Sequence, residues 1–350
     1  MSIAQVRIVG TGLIGTSIAL GLAHKGIRVI PTDINRENEK LARDLLAPSL
    51  GDGAADLTIL ATPPQATLEA LRIEEKRDSN QRFIDVGSVK NKLIRDIESF
   101  PELSGKFLGT HPMAGRERGG ARASQSDLFQ GRAWFITPTS SSDHSLISDA
   151  RFVAETLGAT VYEISPDDHD RLMAAISHLP QVVSSALASS INDLPRLDLA
   201  GQGLRDMVRI ASSDPALWSE ILFANRENIL SSLEDFRTSL DSLREAIADE
   251  DSGRLVEIFR AGAEARTKAS GKHGALPRNY VELLIVIDDR PGQLSRLFQE
   301  CAEVNANIED LSIEHSPGQE TGLISLSFSS IDAEKVMKHL ETRGWKVHQA

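Results

Sequence analysis

The sequence predicts an α/β domain built on a doubly wound, mostly parallel sheet, then an all-α block, then a small α+β unit. Three observations carry this prediction. Strand-like and helical runs alternate from residue 1 to about 165, the pattern of a parallel sheet with helices between its strands. From Ser165 to about Thr267 the strand signal disappears. Beyond Pro277 strands return in the order β-α-β-β-α-β, a ferredoxin-like arrangement.

The first strand, Val6 to Val9, leads directly into Gly10-Thr11-Gly12-Leu13-Ile14-Gly15, and Thr16 to His24 then reads as a helix. In G-x-G-x-x-G the first glycine permits the tight turn, the second lets backbone approach a pyrophosphate, and the third lets helix pack on strand. The free amides at the helix start hold the anion. A second strand, Ile27 to Ile30, ends near Asp33, eighteen residues past Gly15, where a carboxylate can accept from an adenosine ribose. Strand, glycines, helix, strand and acid in this order indicate a Rossmann-type dinucleotide-binding domain. Gly10, Gly12, Leu13, Ile14, Gly15 and Asp33 are its candidate cofactor contacts. Further strands are expected at Leu57–Leu60, Phe83–Val86, Ala133–Ile136 and Thr160–Tyr162. Ligands bind at the carboxyl ends of such strands, which here are Thr62-Pro63-Pro64, Gly87-Ser88-Val89-Lys90 and a loop from Thr110 to Gly120.

Helical patterns run through 169–191, 203–211, 214–231, 232–248 and 252–268, a block suited to closing a cleft and pairing subunits. Thr267 to Pro277 is small, polar and broken by glycine, so it reads as a linker. The last unit predicts strand Val281–Ile287, helix Gly292–Val304, strand Ile308–Glu314, a turn at Ser316-Pro317-Gly318, strand Gly322–Phe328, helix Ala333–Thr342 and strand Trp345–Gln349. The expected domains are therefore 1–165, 166–268 and 278–350, with 269–277 between the last two.

At 350 residues, with 41% hydrophobic and 25% charged residues, the chain has the composition of an ordinary globular protein with several cores. A net charge of −12 argues against nucleic acid and against an anionic membrane surface. The single cysteine, Cys301, cannot form an internal disulfide, which suits a reducing cytoplasm, and its helical apolar pattern reads as packing. The first strand begins within a few residues of Met1, leaving no room for a signal peptide. No run approaches the ~20 apolar residues needed to span a bilayer.

Three stretches carry candidate chemistry. Gly109-Thr110-His111-Pro112-Met113-Ala114-Gly115 places a histidine where a strand should end, and histidine moves protons near neutral pH. In helix 169–191, Leu172, Ile176, Leu179, Val183 and Leu187 form an apolar stripe expected to be core. On another side His178, Gln181 and Ser185 form a polar stripe that either lines a pocket or lets a helix approach, and Pro180 is expected to bend the helix. In Gly203–Ala211, Asp206 and Arg209 lie three apart: a surface ion pair, or an arginine held to fork onto a substrate carboxylate.

Taken together the chain resembles the prephenate dehydrogenases, the TyrA-type enzymes of tyrosine biosynthesis, in the form with a C-terminal ACT domain. The resemblance spans nearly the whole chain: G-T-G-L-I-G-T-S, V-G-S-V-K (86–90), H-P-M-A-G (111–115), S-H-L-P-Q (177–181), G-L-R-D-M-V-R-I-A (203–211) and Asp289-Arg290-Pro291-Gly292-Gln293-Leu294. It implies NAD+-dependent oxidation of prephenate to 4-hydroxyphenylpyruvate with release of CO2, and no metal. His111 would accept the substrate hydroxyl proton, and Ser88 would bond the same region and set the nicotinamide. Arg209 would bind a carboxylate, oriented by Asp206; Glu117 would sit near the substrate entrance; His178 and Gln181 would line the pocket. His111 and Arg209 are then expected to converge on one small dicarboxylate. Thr62 and Pro63 join the cofactor contacts, and Asp33 favours NAD over NADP by repelling the extra phosphate, although Arg36 follows closely.

The ACT resemblance implies feedback by L-tyrosine, with Arg290, Pro291, Gly292, Asn305, Asn307 and Ile308 as candidate contacts, or a domain that only assembles subunits. A homodimer through the helical block, or a larger assembly, is expected. Gln181 stands where some members carry histidine and Leu204 where an aromatic is common, which makes arogenate the alternative substrate. A 3-hydroxyacid dehydrogenase is disfavoured because Arg171 to Ile191 holds no lysine. A non-catalytic, NAD-binding amino-acid sensor is the reading from another class.

Overall fold

The computed structural model describes residues 3–103, 105–115, 120–269, 280–288, 290–314 and 321–349. They fall into two compact units, Met1–Ala263 and Glu264–Ala350.

The first unit is organised by seven strands: β1 (Gln5–Val9), β2 (Arg28–Thr32), β3 (Leu57–Leu60), β4 (Phe83–Asp85), β5 (Phe107–Pro112), β6 (Ala133–Thr137) and β7 (Thr160–Glu163). Their spatial order is β2-β1-β3-β4-β5-β6-β7. All neighbours are parallel except β5 and β6. The chain leaves β1 in opposite directions to reach β2 and β3, so a crevice opens at their carboxyl ends, the usual ligand position in such sheets. Helices α1 (Leu13–His24), α2 (Arg36–Leu46), α3 (Pro64–Arg77) and α5 (His144–Thr156) pack on the strands, and α4 (Asn91–Glu98) packs on α3. Between them lies a core of Val6, Ile8, Ile18, Leu22, Ile59, Trp134 and Ile136, all essentially without solvent contact. Short runs with apolar residues on both sides of the pleat are what a sheet covered on both faces requires.

Two sequence expectations change here. The stretch from Gly109 through Pro112 is strand rather than loop, because β6 turns antiparallel and extends the ladder, pairing His111 with Phe135. Helix α1 begins at Leu13, three residues earlier than expected, so its first turn lies inside the glycine motif.

The rest of this unit is helical: α6 (Pro166–Met173), a π-turn at Ala174–His178, α7 (Leu179–Ser190), α8 (Gln202–Val208), a 3₁₀ turn at Arg209–Ser212, α9 (Pro215–Ala224), α10 (Arg226–Ala248) and the first part of α11 (Ser252–Ala269), which continues past Ala263. Where a bend was expected at Pro180, a π-turn lies just before it and the proline falls in the first turn of α7, where its missing N–H leaves no intrahelical bond unmade. The helix break expected near residue 231 falls instead at Asn225, which ends α9 and starts α10. From Pro166 to Ser190 the helical path runs 25 residues and is long and apolar enough to cross a membrane by length and composition, contrary to the expectation that no run comes close. Its buried His169, Asp170, His178 and Gln181 are hydrogen-bonded to other elements, so it is read as a helix of this folded unit.

The same helix turns a polar face inward. Its inward face is Met173, Ala174, His178, Gln181 and Ser184, whereas Ile176 is 52% exposed and Leu172, Leu179, Val183 and Leu187 are only half-buried. The stripe expected to be core is therefore not covered by this chain. Gln181 and Ser184 take the inward face with fixed partners: Gln181 Nε2 donates to the Ile210 carbonyl at 2.9 Å and Ser184 Oγ to that of Met207 at 2.8 Å.

In the second unit, β8 (Tyr280–Asp288), α12 (Gln293–Glu303), β9 (Asp310–Glu314), β10 (Thr321–Ser329), α13 (Ser330–Thr342) and β11 (Lys346–Gln349) follow in that order. The four strands are antiparallel, in the spatial order β11-β8-β10-β9. Leu283, Ile285, Leu297, Ile324, Leu326, Phe328 and Leu340 form its core together with Cys301, whose thiol burial pushes up to about 11. The expected linker runs into α11 at residues 267–269; its remainder, Asp289 and the turn Ser316-Pro317-Gly318 lie outside the described residues.

Candidate active site

At the carboxyl ends of β1, β3 and β4 lies a cavity of about 940 Å³, at the upper end of the range of ligand sites. Gly10, Gly12, Leu13, Ile14, Asp33, Thr62, Pro63, Ser88 and His111 all line it. Two clusters predicted separately, one for a dinucleotide and one for proton transfer, thus share one wall.

The cofactor end has the geometry of an anion cradle. Gly10 has φ +95°, and a Cβ there would come within 2.4 Å of the Ala61 carbonyl oxygen. Gly12 caps α1 without a side-chain partner, and a Cβ added to it would meet nothing within 4 Å. That space, facing the free amides of the first helical turn, fits a pyrophosphate. Gly15 lies beneath the turn, where a Cβ would be 1.9 Å from the Gly10 oxygen. Asp33 Oδ2 accepts from Thr11 N at 2.6 Å and Thr11 Oγ1 at 2.9 Å, and its Oδ1 from Asn35 N at 2.8 Å. The carboxylate is therefore held rigidly at the cavity edge, with lone pairs left for ribose hydroxyls. These residues fit NAD.

At the other end, His111 is 8% exposed and lies on β5. Its Nδ1 is 3.0 Å from His169 Nε2, and His169 Nδ1 is 2.8 Å from Asp170 Oδ1. Asp170 also accepts from the backbone amides of Lys90 (2.9 Å) and Asn91 (2.8 Å) at the start of α4. Lys90 is completely buried; its ammonium donates to Asp85 and, at 2.7 Å, to the carbonyl of Thr110, the residue before His111. Asn225 Nδ2 donates to the Asp170 carbonyl at 2.7 Å and to His178 Nδ1 at 3.2 Å. Burial, then the neighbouring His169, Lys90 and His178, hold the His111 imidazolium far from favourable, so its pKa is lowered well below the usual histidine value. His169 is lowered too, chiefly by burial, and burial pulls His178 down to about 4. A neutral imidazole on a cavity wall is a base ready to take a proton.

Other predicted residues are placed elsewhere. His178 (1% exposed) and Gln181 (5%) are buried behind the wall: His178 packs edge-on to Trp218, which does line the cavity, and Gln181 bonds to the 3₁₀ turn. Asp206 is exposed and accepts from Gln202; Arg209 is exposed at the start of that turn. The expected convergence of His111 and Arg209 on one cavity wall is therefore not seen, because α8 and the turn run along the surface. Ser213, Asp214 and Leu217, just after Arg209, do reach the wall. No arginine or lysine lines the cavity among the described residues. Glu117 lies outside them. In the second unit Arg290, Pro291 and Gly292 form an exposed turn, Asn305 has φ +51°, Asn307 bonds Glu309, and Ile308 is half-buried. A small cavity of about 190 Å³ there is lined by Asp288, Gln293, Arg296, Arg343 and Trp345, but by none of the six predicted contacts.

Sequence reasoning missed Asp85, Lys90, His169, Asp170 and Asn225. Only Lys90 lay in a motif already singled out.

Comparison with known proteins agrees with this geometry. The family model for the prephenate dehydrogenase nucleotide-binding domain matches residues 18–163, and that for the prephenate dehydrogenase dimerization domain matches 165–261. Prephenate dehydrogenase of Bacillus subtilis is 30% identical over 349 residues, covering 94% of this chain and 93% of that protein. The crystal structure of prephenate dehydrogenase from Aquifex aeolicus in complex with hydroxyphenyl propionate and NAD+ superimposes with a TM-score of 0.71 at 32% identity, over 77% of this chain and 99% of that one. Arogenate dehydrogenase of Synechocystis gives a TM-score of 0.65 at 30% identity, over 76% of this chain and 100% of that one. The chain belongs to the prephenate dehydrogenase family.

Proposed function

We propose that this member of the prephenate dehydrogenase family oxidises prephenate with NAD+, releasing CO2 and 4-hydroxyphenylpyruvate, in tyrosine biosynthesis. The observation that carries the reading is the single cavity joining the glycine cradle and Asp33 to Ser88 and His111. Bound NAD+ supplies the hydride acceptor. As hydride leaves the ring carbon bearing the hydroxyl, neutral His111 takes the hydroxyl proton. When the ring carboxylate departs as CO2, its bonding pair aromatises the ring and His111 returns the proton to the phenolic oxygen, so no net proton is consumed. Ser88 bonds the same region and orients the reacting carbon. Aromatisation drives the reaction, so the protein contributes positioning and a preset charge environment.

Recognition of the substrate carboxylates is proposed for Arg209 with Asp206, as the family resemblance implies; Arg209 opens the surface turn four residues before Ser213 of the wall. Arogenate, which replaces the keto group by an amino group, is the second reading, supported by the likeness to the Synechocystis enzyme. Incubation with NAD+ and either compound, followed by NADH absorbance, tests both; absence of NADH with each would overturn the enzymatic reading.

The domains are read as 1–165 for the nucleotide, 166–268 for substrate and dimerisation, and 278–350 as an ACT domain. The β-α-β-β-α-β order and antiparallel sheet of the last unit support that reading. L-tyrosine is the expected feedback effector; calorimetry and rate assays that detect neither binding nor inhibition would leave a purely assembling role. The uncovered apolar residues of the helical block, among them Phe223, Leu230 and Phe259, support a homodimer through that block. The single buried cysteine suits a reducing cytoplasm.

A further inference from the structure

We infer that His169 and Asp170 are positioning residues that set the tautomer of His111, leaving its Nε2 as the unprotonated nitrogen on the cavity. The inference rests on the reading of His111 as the proton acceptor, and donors and acceptors along a buried chain of hydrogen bonds carry it.

It begins at the Asp170 carboxylate, whose side chain is 1% exposed. Two backbone N–H groups, of Lys90 and Asn91, point at its two oxygens. Backbone amides can only donate, so both oxygens must accept; a proton on either would face an N–H. The third group at that carboxylate, His169 Nδ1, then has to be a donor as well. Outside the strongly disfavoured doubly protonated form, a histidine with its proton on Nδ1 has a bare lone pair on Nε2. That lone pair faces His111 Nδ1 at 3.0 Å, so His111 Nδ1 carries the proton and donates. The remaining nitrogen of His111, Nε2, is unprotonated, and no described residue bonds to it. Each step leaves one choice, and the whole direction is dictated by two amides at the start of α4.

The surroundings hold the chain in place rather than compete with it. Asn225 occupies the Asp170 main-chain carbonyl, not its carboxylate. The Lys90 ammonium is spent on Asp85 and the Thr110 carbonyl, and that second bond fixes the backbone next to His111. Phe135 packs edge-on against His169, with ring centres 5.5 Å apart, and no polar group of Phe135 offers a rival acceptor. When His111 takes the substrate proton, the resulting imidazolium donates from Nδ1 to His169, and the dipole of the chain ends on the Asp170 charge. The proton itself stays on His111 until it is returned.

The test is long-range 1H–15N spectroscopy of the resting full-length chain labelled at histidine nitrogens, with resonances assigned by His111→Asn and His169→Asn. The expected result is a single tautomer at both rings, protonated at Nδ1. A His111 ring protonated at Nε2 overturns the inference, whether or not the enzyme turns over prephenate. Asp170→Ala removes the acceptor that holds the proton on His169 Nδ1, so both rings should become mixtures of tautomers and kcat should fall about a hundredfold or more with KM for NAD+ unchanged. Should that variant fail to fold, His169→Phe keeps a ring against Phe135 and removes only the acceptor. It should leave His111 a mixture of tautomers, again with a loss in kcat and not in cofactor KM. Retention of a single Nδ1-protonated tautomer and of full kcat in the folded variant would show that His111 sets its own state.

Discussion

The nucleotide-binding sheet and the helical block after it bury opposite kinds of surface. Around the sheet, Val6, Ile8, Leu57, Ile59, Phe83 and Trp134 are completely covered by the same chain. In the helical block the covered residues include His169, Asp170, His178, Gln181, Ser184 and Asn225, while Phe223 (73%), Phe259 (70%) and Leu230 (63%) face outward. The sheet completes its own core. The helical block spends its interior on a hydrogen-bonded network that ends at His111, and leaves apolar area that this chain does not cover. Most polar atoms there have fixed partners, which limits the cost of burying them; His178 Nε2 is buried without one.

Substitutions on the two sides of this contrast should behave differently. At the point where the halves meet, His111→Asn should lower kcat by about three orders of magnitude while NAD+ affinity, followed by calorimetry, is retained. Full activity would remove the proton-transfer role. Within the sheet, Phe83→Ala should cost roughly 3–5 kcal/mol in urea unfolding and leave the assembly state unchanged. Phe223→Asp should do the reverse: little loss of intrinsic folding stability, but a shift towards monomer in analytical ultracentrifugation. A dimer unaffected by that change would mean that another surface pairs the subunits.

A pH series separates the halves further. The pKa of His178 is lowered by burial to about 4, against 6.5 for an unperturbed ring. Between those values the unfolded chain binds a proton that the folded chain refuses, so stability falls as pH drops from 6.5 towards 4 and is unaffected above. The loss at the low end is at most roughly 3 kcal/mol from this group. His178→Asn should make the slope shallower across that window without removing it, since burial lowers His111 and His169 as well; an unchanged slope would assign the acid sensitivity to those two rings. The smallest effect is expected at the cofactor edge: Asp33→Ser should raise the relative use of NADP+ by about tenfold in steady-state kinetics.

Much of the frame was legible in the order of residues. Gly10, Gly12 and Asp33 announced a nucleotide site because local backbone geometry demands glycine and the acid follows the next strand. His111 stood out beside Pro112 and Gly115, though its placement in a loop was wrong: β6 decides that, from 20 or more residues away. The apolar stripe at Leu172, Ile176 and Leu179 was expected to be core and is not covered by this chain, because periodicity marks an apolar face without saying what lies against it.

Local pattern thus specified the glycine turn, the alternation of strands and helices, and the candidate base, since each depends on neighbours within a few positions. The tautomer chain came only with the folded chain. Lys90 meets Asp170 across 80 positions, His111 meets His169 across 58, and Asn225 meets Asp170 across 55. No spacing rule connects them. A hydrogen bond has direction, and the direction of a buried one is set by whichever donor or acceptor the fold delivers to its far end.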